Sequence, residues 1–102
     1  MAGRNFSRIG DFLPTVLKSL GLEQRFKEQK LIALWPTVVG PDIAARTRAR
    51  RIDRGVLYVH VDHGAWMQEL HFIEKDLTRK LREAVPGVPI RRIRFSAKDV
   101  AD

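Results

Sequence analysis

The hydrophobic period of this chain changes three times along its length, and those changes limit the folds open to it. Ile9, Phe12, Leu13, Val16, Leu17 and Leu20 recur at three- and four-residue spacing, the stripe of a helix. Asp11 can cap its start, Pro14 is tolerated in its first turn and Gly21 can end it. A second helical stripe follows in Leu22, Phe26, Leu31, Leu34, Trp35 and Val38, with Glu23, Arg25, Lys27, Glu28 and Lys30 on the other side. Pro36 predicts a kink or an early end, and Gly40-Pro41 closes the segment. The period then drops to two, with Ala45, Thr47 and Ala49 alternating against Arg46, Arg48 and Arg50. Asp53-Arg54-Gly55 is a turn signal and Val56 to Val61 is rich in strand formers, so the pair reads as a β-hairpin. From Gly64 the helical period returns in Trp66, Leu70, Ile73, Leu77, Leu81 and Ala84, until Pro86-Gly87 stops it. A short strand, Ile90 to Phe95, precedes a polar tail.

The predicted order is therefore helix, helix, strand, strand, helix, strand. At 102 residues there is room for one domain, spanning 1–102, with 1–8 and 97–102 frayed. Three strands and a long amphipathic helix predict a two-layer α+β domain, a three-stranded sheet with helices on one face. The other face is then left to solvent or to a partner. With no cysteine, the apolar core alone must hold this fold, and disulfides, thiolate zinc sites and cysteine nucleophiles are excluded. No apolar run approaches the ~20 residues of a membrane span, and the first residues lack an apolar signal core, which predicts a cytoplasmic protein.

The formal net charge is +7, and its distribution matters more than its total. Residues 41–55 carry 5 basic and 2 acidic side chains, while residues 56–85 carry 4 and 5. If the hairpin loop is Asp53 to Gly55, Arg50 lies across from Tyr58 and Arg48 across from His60, all on one face. Leu57, Val59 and Val61 then point toward the helices with Ala45, Thr47 and Ala49. In the last strand Ile93 and Phe95 belong inside, which sends Arg92 and Arg94 outward. The outer face thus collects Arg46, Arg48, Arg50, Tyr58, His60, Arg92 and Arg94. Guanidinium forks match phosphate oxygens and Tyr58 can stack a base, so one reading is a nucleic-acid surface for DNA, single- or double-stranded, or RNA. The other is a solvated face whose arginines guard an edge strand against aggregation.

No other constellation carries chemistry. His60-x-x-His63 with Asp62 lacks a fourth strong ligand, so no metal is expected, and His71 reads as a surface or boundary residue. Ordinary helix-surface pairing with Lys75 and Arg79 explains Asp62, Glu69, Glu74 and Asp76 as a set. A glycine-rich phosphate loop and a nucleophile elbow are both missing, and neither an enzyme, a cofactor nor a small-molecule substrate is expected. Trp35 and Trp66 lie on apolar helical stripes, where each is either core or a protein-binding anchor.

Leu34-Trp35-x-x-Val38-Val39-Gly40, Ile43-Ala44, Gly55-x-Leu57-x-Val59-x-Val61, Trp66-x-x-Glu69-Leu70 and Ile93-Arg94-Phe95, in that order and spacing, resemble the bacterial DciA family over nearly the whole chain. The resemblance implies a KH-like fold and a nucleoid-associated adaptor without ATPase activity. It also implies contact with DNA and with the replicative helicase hexamer, assisting helicase loading at the start of replication. A general RNA- or DNA-binding module with no helicase partner is the alternative. The glycine-x-x-glycine loop by which ordinary KH domains clamp a nucleic-acid backbone is missing, so that binding mode is not carried over. Some relatives carry a zinc ribbon, impossible here without cysteine, and others a long flexible extension. If the protein ends at Asp102, it is expected to keep only part of the family's activity.

Overall fold

The computed structural model describes Thr15 and residues 20–98. The predicted first helix, but for Thr15 and Leu20, and most of both frayed ends therefore lie outside the described residues. Helix α1 spans Leu22–Val39 and passes through Pro36, so the proline neither ends it nor closes the segment early. Gly40, at φ 91°, makes the reversal that a side chain would resist, and Pro41 opens the one-turn helix α2, Pro41–Ala44. Strand β1 is Thr47–Asp53 and β2 is Val56–Val61. A 3-10 turn, Gly64–Trp66, leads into α3, Met67–Ala84, and β3 is Arg92–Ser96. The last strand starts two residues later than Ile90, which is buried but lies in the preceding loop.

The sheet order is β1-β2-β3, with β1 antiparallel and β3 parallel to the central β2. A parallel neighbour requires a crossover, and α3 supplies it on the side where α1 also packs. Inward residues Leu57, Val59, Val61, Ile93 and Phe95 meet Leu31 and Trp35 of α1 and Leu70, Leu77 and Leu81 of α3. Each such side chain contributes about 1.5–3 kcal/mol by leaving water. The expected α+β arrangement, a three-stranded sheet with helices on one face, is what the chain adopts.

Two expected stripes are narrower than the sequence pattern. Leu31 and Trp35 are buried on α1, but Leu22 and Phe26 turn outward, Phe26 to 69% exposure. On a helix, residue 26 sits more than 90° from the 31/35 seam, so its apolarity does not make it core. Ala84 is likewise exposed at the end of α3. Trp35 is 1% exposed, and its indole N–H donates to Thr47 Oγ1 at 2.9 Å, whose hydroxyl donates on to Ile43 O at 2.8 Å. That chain satisfies the buried N–H and removes Trp35 from the surface, so it is a core residue and not a partner-binding anchor.

Candidate nucleic-acid interface

The hairpin turn decides which side chains meet on the face of the sheet away from α1 and α3. Its loop has two residues, Arg54 and Gly55, at φ 51° and 80°, both in the left-handed region of a turn that matches strand twist. Gly55 has a second constraint, because a Cβ there would come within 2.9 Å of Arg91 Cγ. A two-residue loop pairs Asp53 with Val56, Ile52 with Leu57 and Arg51 with Tyr58. The expected three-residue loop would have put Arg50 opposite Tyr58, and that pairing is corrected to Arg51.

The register then shifts between Ala49 and Arg51, which leaves Arg50 as the extra residue of a β-bulge. Beyond the bulge Ala49 faces Val59, Arg48 faces His60 and Thr47 faces Val61, as the expected alternation required. Arg50 and Arg51 both line the outer cleft, so the bulge places two consecutive arginines on one side of a strand. Ordinary alternation would have sent one of them inward.

Across the sheet the outward residues form rows. Arg48, His60 and Ser96 make one, and Val56 sits between Asp53 and Arg92 in another. The central row is Arg51, Tyr58 and Arg94, an aromatic ring flanked by two guanidiniums. The Arg51 guanidinium carbon stands 4.0 Å from the Tyr58 ring centroid, a cation–π geometry. Arg50, Arg51, Arg94 and Lys98 supply four cations to a cleft of about 220 Å³ that Tyr58 and His60 also line, with no carboxylate among its described lining residues. Asp53 approaches Arg51 only at 3.9 Å, with both side chains about half exposed, a contact that a phosphate could displace at small cost. His60 Nε2 lies 3.9 Å from Asp62 Oδ1, and its Nδ1 lies 3.4 Å from Lys98 O, which ties the end of the described chain to the face.

Of the seven residues expected here, Arg48, Tyr58, His60, Arg92 and Arg94 are on the face, and Arg50 reaches it through the bulge. Arg46 does not. The turn that ends α2 takes Ala45 and Arg46 out of the strand, Ala45 is exposed, and the Arg46 guanidinium lies 3.5 Å from the Trp66 ring centroid. Trp66 is half-buried beneath it, beside a separate groove. Sequence reasoning missed Arg51 and Lys98, and the one available signal for Arg51 was the run of two arginines before an alternating hairpin. Among the described residues no group of three or more metal-ligating side chains converges, and no helix is long and apolar enough to cross a membrane.

The ends of the sheet are also managed. The Ile93 N–H on β3 donates to Glu74 Oε2 of α3 at 3.3 Å, so Glu74 serves backbone pairing. On the exposed side of α3, hydrogen bonding from Arg79 holds the Asp76 carboxyl below its usual range, and the same contact raises Arg79.

The family model described as "Dna[CI] antecedent, DciA" matches residues 8–95. A UPF0232 protein of Rhodococcus jostii is 25% identical over 87 residues, covering 85% of this chain and 46% of its own length. A UPF0232 protein of Mycobacterium tuberculosis is 27% identical over 88 residues, 86% of this chain and 47% of its own. One from Mycolicibacterium smegmatis reaches 30% over 77 residues, 76% and 40%. The chain spans less than half the length of these relatives.

Proposed function

This chain belongs to the DciA family, and from that premise we propose that it is a non-catalytic adaptor that binds nucleic acid and assists loading of the replicative DNA helicase at replication initiation. Family membership supports the loader-type role in DNA replication. The observation that carries the nucleic-acid part is the outward row Arg51–Tyr58–Arg94, with Arg50 and Lys98 beside it and, among the described residues, no carboxylate lining the cleft. Arg48 and Arg92 extend the positive face along its edges. Phosphates take the arginine forks, and an unpaired base can replace the Arg51 guanidinium on the Tyr58 ring. The adaptor works in the cytoplasm, on the chromosome.

Fluorescence anisotropy with labelled DNA and RNA oligonucleotides across a salt series tests the surface. Affinity is expected to fall steeply with salt, by about one unit of log–log slope per phosphate contact. The double reversal Arg51→Glu with Arg94→Glu is expected to lose roughly 100-fold at low salt, since it replaces two attractive contacts by two repulsive ones. Undiminished binding by that variant removes the sheet face from the proposal. A general nucleic-acid-binding module without a helicase partner is the second reading, because the sheet face by itself requires no protein contact. Retention of the purified helicase by the immobilised chain favours the adaptor, and recovery of nucleic acid alone favours the module.

A further inference from the structure

We propose that the groove beside Trp66 is the docking site for an amphipathic helix of the protein partner, one that buries an apolar anchor and carries lysine or arginine next to it. The inference rests on the adaptor reading, since it names the surface by which the partner is held. The groove encloses about 540 Å³ between α2, the start of β1 and the first half of α3. Ile43, Leu70 and Ile73 make its apolar lining, Trp66 walls it, and Phe72 stands at its rim at 83% exposure. A phenylalanine that far into water, next to an apolar recess, is an anchor without its counterpart.

Charge identifies the occupant. Asp42 and Glu69 also line the groove, both exposed, and neither joins an ion pair among the described residues. Of the other described acids, Glu23, Asp53, Asp62, Asp76 and Glu83 each have a basic neighbour within 4 Å, Glu74 accepts from the Ile93 N–H, and Glu28, outside the groove, shares with Asp42 and Glu69 the lack of an ion pair among the described residues. Arg46 lines the same groove, yet its guanidinium is spent on the Trp66 face. Two uncommitted carboxylates in a chain of net charge +7 select a basic ligand and repel nucleic acid. They also disfavour a second copy, which would bring +7 against +7. Six of the nine lining residues belong to α2 and α3, and a recess walled by helices suits an amphipathic helix laid along it. The groove and the cationic cleft share no lining residue, so both ligands can be held together.

The test uses the full chain and the purified replicative helicase hexamer of the same bacterium, with binding measured by calorimetry. Phe72→Ser, at a solvent-facing site, and the double reversal Asp42→Lys with Glu69→Lys are each expected to weaken helicase binding about tenfold. Neither should reduce affinity for a single-stranded oligonucleotide. A photo-crosslinking residue at position 72 is expected to attach to a basic amphipathic helix of the helicase. If the wild-type chain fails to bind the hexamer, the adaptor reading falls. If it binds and both variants bind equally well, or the crosslink maps to an acidic or extended segment, the groove is overturned while the adaptor reading stands.

Discussion

The sheet face away from the helices and the Trp66 groove both draw arginines from the same short stretch of chain and set them in opposite surroundings. On the sheet face Arg51 stacks on Tyr58 and its neighbours in the cleft are cations. In the groove Arg46 stacks on Trp66 and its neighbours include Asp42 and Glu69. Only Thr47 to Arg50 separate the two guanidiniums in sequence. Backbone conformation directs them. Arg46 belongs to the turn after α2, Thr47 points inward to Trp35, and the bulge then delivers Arg50 and Arg51 to the outer side. Net charge attracts the whole chain to polyanions, but strand parity and one extra residue decide where a phosphate could sit.

Four variants break or sharpen that contrast. Tyr58→Ala should cost oligonucleotide binding about 1–3 kcal/mol if a base stacks there. Tyr58→Phe should retain most of that affinity. Equal losses in both, in the same anisotropy titration, would assign the effect to the hydroxyl instead of the ring. Next in size is deletion of Arg50. The pairs on either side of the bulge already follow one another, Ala49 with Val59 and Arg51 with Tyr58, so the shortened strand should keep its register. Cross-strand NOEs for those pairs are expected to persist while the salt slope of binding drops by about 1. Disappearance of the NOEs would mean that the bulge holds the register. The smallest effect is expected from Asp76→Asn, on neither surface. The Asp76 pKa lies below its ordinary 3.8 in the folded chain. Its contribution is therefore fully present above that value and is lost as pH falls through the lower folded value. The variant should be slightly less stable at neutral pH in urea titrations and should lose less on acidification, with both binding surfaces unaffected. A measurable change in oligonucleotide affinity would show that the two faces are coupled through α3.

The hairpin shows how far a one-dimensional reading reaches. Assuming a three-residue loop misplaced Arg50 against Tyr58, and the bulge at Arg50 then undid the shift, so Arg48 still met His60. A loop of two residues and a loop of three are both compatible with Asp53-Arg54-Gly55. Two adjacent arginines offer no chemical distinction as to which one is extra. Phe26 and Phe72 illustrate a different limit. Both are strongly apolar residues in helices, and both are exposed because helical phase puts them away from the sheet. Trp35 and Trp66 had equivalent patterns in sequence, yet Trp35 found a buried hydroxyl for its N–H while Trp66 lies under the Arg46 guanidinium.

Periodicity, strand composition, the glycine and proline punctuation and the absence of cysteine were enough to determine the type and order of α1, β1, β2, α3 and β3 and the existence of one apolar and one cationic sheet face, though not the short α2. Those properties depend on neighbours a few residues away. The membership of each surface depended on contacts between distant segments. Loop length and the bulge selected Arg51 for the Tyr58 ring, the short helix turned Arg46 toward Trp66, and packing of α3 against the sheet left Phe72 outside. Side-chain chemistry proposes many pairings of similar energy, and only the closed three-dimensional arrangement of the backbone admits one set.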